Sequence, residues 1–379
     1  MRMKTIRVLM LVLALALVAA ACSSDDSTDT TAAGGDATET TVAADLGSIW
    51  VLLPDSASSA RWETDDRPYF EAAFDAAGVE YNIVNAEGDP VQQQSQAEQA
   101  IADGAKVILL VNLDSASGAA IIQIARDGGA QVIDYDRLTI EGDGADVYVS
   151  FDNVAVGATM AEIVDPAIAA LGLSPAKVAL LNGGPTDNNS KLFKEGYTTN
   201  LDANVASGAW EIVADEDTPD WDNQEALRIY EQMLVANPDG IDATYAANDG
   251  LANSVISARK SAGLEPIPLS GQDATVAGMQ NVLSGWQTMS VYKAIKAEAE
   301  AAAAVAVAML NGAAVDSVSG DWTLIEIDNG TNMVPYVALV PVGVTSENMA
   351  DTVIADGFRT WDEICVGDFE EFCPEGWDA

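Results

Sequence analysis

KVILLVNLDSASGAAIIQIARDGGAQVIDY (Lys106–Tyr135) is the stretch that decides the fold. Lys106–Val111 is a short apolar run, the pattern of a strand buried on both faces. Ser117–Asp127 follows as a helix, and Gly128 and Gly129 end it. Gln131–Tyr135 is a second strand. A strand, a helix and a strand in succession form a βαβ unit, and such units build parallel sheets.

The same rhythm extends in both directions. Upstream, Ser48–Leu53 (SIWVLL) reads as a strand. Pro68–Ala77 reads as a helix, with Phe70 and Phe74 four apart and Gly78 at its end. Glu80–Val84 is a strand and Val91–Ala102 a helix. Downstream, Tyr148–Ser150 is a strand and Ala155–Leu171 a helix, and a second series begins. Its strands are expected at Lys177–Leu181, Glu211–Ala214, Ala243–Ala246, Ile267–Ser270 and Gln287–Val291. Its helices are expected at Asn189–Asn200, Asn223–Asn237, Leu251–Ala262 and Thr275–Ser284. A long Ala-rich helix, Lys293–Leu310, and two strands, Trp322–Ile327 and Tyr336–Pro341, follow.

A chain of 379 residues with two such series fits an α/β protein of two doubly wound, Rossmann-like lobes. The first lobe is expected over residues 47–153 and about 291–320, the second over 154–290 and about 321–358. Crossings between them are expected near Ser150–Val154, near Met289–Tyr292 and after Gly320. This layout places a cleft at the carboxyl ends of the strands, where doubly wound folds bind their ligands.

The N-terminus determines the compartment. Arg2, Lys4 and Arg7 precede the apolar run Val8–Val18, and Ala19–Ala21 lead to Cys22. This is the layout of an export signal, too short to span a bilayer. The cysteine after small residues resembles the lipidation site of bacterial lipoproteins, although Ala19 stands where that pattern prefers Leu, Val or Ile. Residues 23–46, rich in Ser, Thr, Asp, Ala and Gly, are expected to be a flexible tether. The product would be an exported protein held on the outer face of the cytoplasmic membrane or in the periplasm. Cys365 and Cys373, close together in an exported chain, are expected to form a disulfide within a C-terminal tail, residues 359–379.

With 17 basic and 59 acidic residues the net charge is −42, which excludes a nucleic-acid partner and a basic membrane-docking face. The acidity reads as a solvated surface. The sequence contains no His, so a Ser-His-Asp triad is excluded, and no metal or cofactor is expected.

Polar residues recur just after the strands. They are Arg61–Trp62, Asp136–Arg137, Phe151–Asn153, Asn182–Asn189, Asn248–Asp249, Gln272–Asp273 and Lys293, with Trp221 beyond the Glu211–Ala214 strand. Carboxylates, amides, guanidinium and ammonium groups match the donors and acceptors of a polyhydroxylated ligand. Trp62 and Trp221 are flat plates for the C–H face of a sugar ring. Plainer roles stand beside these. Asp187 or Asp273 could only cap the next helix, Asp136–Arg137 could be a structural ion pair, and Trp62 could be core. Asn248 is expected to face the ligand and Asp249 the interior.

RW (61–62), YDR (135–137), YVSFDN (148–153), DNNSKLF (187–193), Trp221, AANDG (246–250), SGQDATVAG (270–278) and QTMSVYK (287–293) resemble the D-xylose-binding proteins of ABC-type sugar importers. The resemblance runs from about Ser48 to Phe358, where DTVIADGF (351–358) is similar to that family's ending. It implies a type I periplasmic-binding-protein fold. It also implies ligand contacts at Arg61, Asp136, Arg137, Asp187, Asn189, Trp221, Asn248, Asp273 and Lys293, with Trp62 added from the residue reading. The expected function is delivery of a monosaccharide, D-xylose first, to an ABC permease by hinge closure, with the protein a monomer. Another aldose, such as glucose, arabinose or ribose, and a role as a sugar-sensing co-receptor remain open. A glycosidase is disfavoured because cleft Arg and Lys would keep the carboxylates ionised. A DNA-binding repressor is excluded by the export signal and the acidity.

Overall fold

The computed structural model describes residues 47–377, apart from Ser58 and the side chain of Asn200. The expected leader, the expected lipidation site Cys22 and the expected tether lie outside the described residues.

Five parallel strands begin the first sheet: β1 (Ser48–Leu53), β2 (Tyr81–Asn85), β3 (Ala105–Leu110), β4 (Gln131–Tyr135) and β5 (Val147–Phe151). Their order is β2-β1-β3-β4-β5, joined through α1 (Arg67–Ala77), α2 (Pro90–Ala102) and α3 (Ser115–Asp127). The apolar runs in β1 and β3 are buried on both faces because helices cover both sides. Phe70 and Phe74 stack at 5.7 Å, and Phe70 meets the edge of Tyr135 at 4.9 Å. Each such fully buried side chain stabilises the fold by about 1.5–3 kcal/mol.

After α4 (Asn153–Ala170) the second sheet forms from β6 (Ala176–Asn182), β7 (Trp210–Asp217) and β8 (Ala243–Ala246), all parallel in the order β7-β6-β8. Its helices are α5 (Asn188–Ala206), α6 (Asn223–Ala236), α7 (Asp249–Ser261) and α8 (Val276–Leu283). The strand expected at Ile267–Ser270 is reduced to a single bridge from Leu269 to Thr244, and that expected at Gln287–Val291 begins only at Ser290, as β9 (Ser290–Tyr292). Backbone bonds persist here, from Thr244 N–H to the Pro268 carbonyl and from Thr288 N–H to the Leu269 carbonyl, both at 2.9 Å, and side chains supplement them: Ser290 Oγ and Gln287 Nε2 donate to Asp249, and Ser270 Oγ to the Ala246 carbonyl.

Helices α4 and α5 cross at two glycines. A Cβ on Gly157 would lie 2.0 Å from the Phe193 carbonyl oxygen, and one on Gly196 2.2 Å from that of Val154. Only Gly permits this approach, and it sets the depth of α5, whose first turn carries Asn189.

The chain returns from β9 to α9 (Ile295–Leu310), which packs on the first sheet against α1. It continues as a hairpin of β10 (Thr323–Asp328) and β11 (Met333–Leu339). Here the structure corrects the expected lobe boundary. β11 runs parallel to β5, so residues 323–339 extend the first sheet to seven strands and do not belong to the second. Tyr336 stacks on Tyr148 at 4.7 Å, its hydroxyl donates to the Phe151 carbonyl, and Asp152 N–H bonds the Leu339 carbonyl. The third crossing therefore follows Leu339, where expectation placed it after Gly320. β12 (Val342–Val344) then pairs with β9.

The tail forms α10 (Trp361–Ile364), started by a reciprocal cap between Thr360 and Glu363. Cys365 and Cys373 are joined as expected, with their Cα atoms 6.1 Å apart. Ile364 and Cys365 are buried against Met279, Val344 and Val353, on the side of the second sheet.

Candidate functional site

The strand ends of the two sheets face one cavity. Asp136, just beyond β4, has φ +62°, a costly conformation for a residue with a Cβ. Its N–H donates to Val149 O at 2.9 Å, and its carbonyl accepts from Tyr148 Oη (2.9 Å), Ser150 Oγ (3.0 Å) and Asn189 Nδ2 (2.9 Å). These bonds hold the strained turn and send the Asp136 and Arg137 side chains to different partners, so the two do not pair with each other.

Asp136 Oδ2 accepts from Arg61 Nη1 at 2.9 Å and Lys293 Nζ at 2.5 Å, and Oδ1 from Asn189 Nδ2 at 3.1 Å. Arg61 also makes a bidentate pair with Asp66 (2.9 and 2.8 Å) and reaches Glu298 Oε2 at 2.8 Å. Tyr135 Oη donates to Asp66 at 2.6 Å. The Arg61 and Arg137 guanidinium groups lie 4.4 and 5.5 Å from the Trp62 ring centre. Trp62 is buried, and its Nε1–H has no partner among the described residues.

The opposite wall is built on helix starts. Asp187 Oδ1 caps α5 by accepting from Asn189 N–H, while Oδ2 lies 3.1 Å from Arg137 Nε and accepts from Trp221 Nε1 at 3.1 Å. Capping and cleft roles therefore coexist in one carboxylate. Trp221 lies flat against Gly183 and Gly184, where a Cβ on Gly183 would come within 2.0 Å of the ring. Asn248 caps α7 with Oδ1, accepting from Leu251 N–H, and lines the cavity. Asp249 turns inward to Gln287, Ser290 and Thr275, as expected. Asp273 is not a cap, since Thr275 caps α8.

Burial pushes the Asp136 carboxyl up, but Lys293 and Arg61 outweigh it and hold the group well below the usual range. Burial dominates elsewhere. It raises Asp273 and Asp66 despite Arg61, and burial together with Asp136 pushes Glu298 up to about 8. The expected stabilisation of the ionised form by cleft cations therefore prevails at Asp136, whereas at the other three desolvation of an enclosed carboxylate exceeds the attraction of cations shared with other acids.

All ten expected residues line one cavity: Arg61, Trp62, Asp136, Arg137, Asp187, Asn189, Trp221, Asn248, Asp273 and Lys293. A second pocket shares Arg137, Asp187 and Trp221 with it. Ser59, Phe193 and Gln272 also line the cavity, and Asp66 and Glu298 stand behind Arg61. Glu298 did carry a signal: it shares the α9 face of Ile295, Ala299 and Ala302, all buried, and an acid there requires a cation. An array of hydrogen-bonding groups from both lobes, backed by aromatic plates, can hold a small polyhydroxylated molecule.

The sequence pattern of the periplasmic binding protein domain matches residues 50–314. The chain belongs to the periplasmic binding protein family. Two relatives of this periplasmic binding protein are the D-xylose-binding periplasmic proteins of Escherichia coli (strain K12), 35% identical, and Haemophilus influenzae, 34% identical, each covering 80% of this chain and 88% of the relative. A similar solved structure is the carbohydrate transporter solute binding protein of Chloroflexus aurantiacus, in complex with D-glucose. It has a TM-score of 0.75 and 27% identity, and the match covers 83% of this chain and 97% of that one. The expected two-lobe α/β fold and the family resemblance agree with these findings, as does the expectation of a binding protein and not an enzyme.

Proposed function

We propose that this periplasmic binding protein is the extracytoplasmic substrate-binding component of an ABC sugar importer and that it encloses one monosaccharide, D-xylose first, in the cavity between its lobes. The observation that carries this reading is the convergence of ten side chains from both lobes on one small cavity, with three cations, three carboxylates and two amides among them. Sugar hydroxyls donate to carboxylates and accept from Arg and Lys, and both kinds of bond are charge-assisted. The ligand is held by Arg61, Trp62, Asp136, Arg137, Asp187, Asn189, Trp221, Asn248, Asp273 and Lys293. Bridging both walls, it favours the closed arrangement that a membrane permease recognises. The protein works as a monomer and is tethered through a lipid on Cys22.

A second reading, another aldose such as glucose in the same cavity, is favoured by the glucose held in the similar structure. Calorimetric titration with xylose, arabinose, ribose, glucose and galactose separates the two. Xylose is expected to bind tightest, and Asp273→Asn and Arg137→Ala to weaken it by about tenfold or more. Heat with glucose alone would move the assignment to the second reading. Heat with none of these sugars would overturn both.

A further inference from the structure

Arg359, the first residue of the tail, touches both lobes outside the sugar cavity. Its Nη1 and Nη2 donate to the two oxygens of Asp65 at 3.0 and 3.3 Å, a bidentate pair. Its Nε donates to the carbonyl of Ala274 at 3.1 Å. Asp65 lies in the turn Trp62–Asp66, which begins at the Trp62 plate and ends at Asp66, the bidentate partner of Arg61. Ala274 directly follows Asp273, and both residues have positive φ, +95° for Asp273 and +44° for Ala274. One guanidinium therefore fastens the segment bearing Arg61 and Trp62, in the first lobe, to the segment bearing Asp273, in the second.

The clasp is rooted in the second lobe. Phe358 packs on Tyr292 at 4.9 Å, the Arg359 guanidinium lies 3.8 Å from the centre of the Phe358 ring, and Gln280 of α8 donates to the Ile364 carbonyl at 2.9 Å. The Cys365–Cys373 bridge closes the loop that follows. The pair itself is largely sheltered, with Arg359 11% and Asp65 8% exposed, so water screens it far less than a surface pair.

We propose that Arg359 is a positioning residue that clasps the closed lobes together through Asp65 and Ala274, and so slows release of the bound sugar. It touches no ligand atom. It acts by stabilising the arrangement in which Asp273 faces Arg61. A ligand leaves only when the lobes part, so a contact across them that opening breaks appears in the dissociation rate more than in the association rate.

The proposal rests on the sugar-binding reading, and the test separates the two. Stopped-flow release of xylose, or of the aldose that calorimetry identifies, is measured on the mature protein and on Arg359→Gln, Asp65→Asn and the double variant. Each single variant is expected to release sugar about tenfold faster with nearly unchanged association, and the double variant no faster than either single one. Asp65→Asn lies in the other lobe and leaves the tail intact, so it answers for an Arg359 variant that folds poorly. Small-angle scattering without sugar supplies a second readout, in which Arg359→Gln is expected to expand relative to the parent. Wild-type release rates in both single variants, or effects that simply add, would overturn the clasp. Absence of sugar binding in the parent would instead sink the functional reading, and the scattering comparison would then decide the clasp alone.

Discussion

The two walls of the cavity are built on different physics. The first-lobe wall is electrostatic. Arg61 and Lys293 share Asp136, Arg61 is also held by Asp66 and Glu298, and every one of these groups is buried. The second-lobe wall is geometric. Asp187 and Asn248 serve as helix caps, Trp221 lies on a glycine pair, and Asp273 sits in a left-handed segment. The first wall is therefore costly to break because unpaired buried ions remain. The second depends on backbone shape, and its side chains can be altered with less damage to the fold.

The sharpest way to break this contrast is Asp136→Ala. Two buried cations lose their shared partner, so stability is expected to fall by about 3–5 kcal/mol and sugar affinity by about a hundredfold or more. Calorimetric titration and thermal unfolding check both, and a near-neutral result would show that the first wall is not electrostatic. Gly183→Ala tests the second wall. The new methyl displaces Trp221 and loosens its bond to Asp187, with affinity expected to fall about tenfold and stability by only about 1–3 kcal/mol. A stability loss as large as that of Asp136→Ala would erase the distinction.

The smallest effect is pH-dependent. Asp134 and Asp249 are pushed up to about 7 by burial, and Glu298 to about 8. Unfolded carboxyls titrate near 4, so between about pH 4 and pH 8 the folded state binds more protons than the unfolded one. Stability from these groups is complete below about pH 4 and is lost as pH rises through 7–8. Asp136, held low, acts oppositely, and its contribution is lost as pH falls below the usual carboxylate range. The melting temperature is therefore expected to rise as pH falls from 8 to 5. Glu298→Gln should flatten the upper part of that rise by a few degrees, and an unchanged slope would show that Glu298 is ionised within the fold.

The residues that line the cavity were more legible than the frame around it. Asp136, Asp187, Asn248 and Asp273 announce themselves because polar residues that follow apolar strands must lie at strand ends, and in a doubly wound sheet those ends face the ligand cleft. The hairpin of β10 and β11 was read as two strands but assigned to the wrong sheet. Its neighbour β5 lies far upstream in the chain, and the Tyr148–Tyr336 stack that decides the pairing leaves no local trace. Ile267–Ser270 reads as a strand from its apolar residues; it keeps backbone bonds to Thr244 and Thr288, but at Ala246 the Ser270 side chain takes both the N–H and the carbonyl, and the ladder stops there.

What the sequence determined by itself is whatever depends on near neighbours: the βαβ rhythm, the glycine helix ends, the polar residues beyond the strands and the short cysteine loop. What only the tertiary structure decided is who partners whom at a distance. Arg61 holds Asp66, Asp136 and Glu298 together, Arg359 joins Asp65 to Ala274, and burial outweighs attraction at Asp273. The reason is physical. Hydrogen-bonded periodicity acts over a few residues and is written in local composition, whereas desolvation and ion pairing depend on which surfaces meet, and folding alone brings those together.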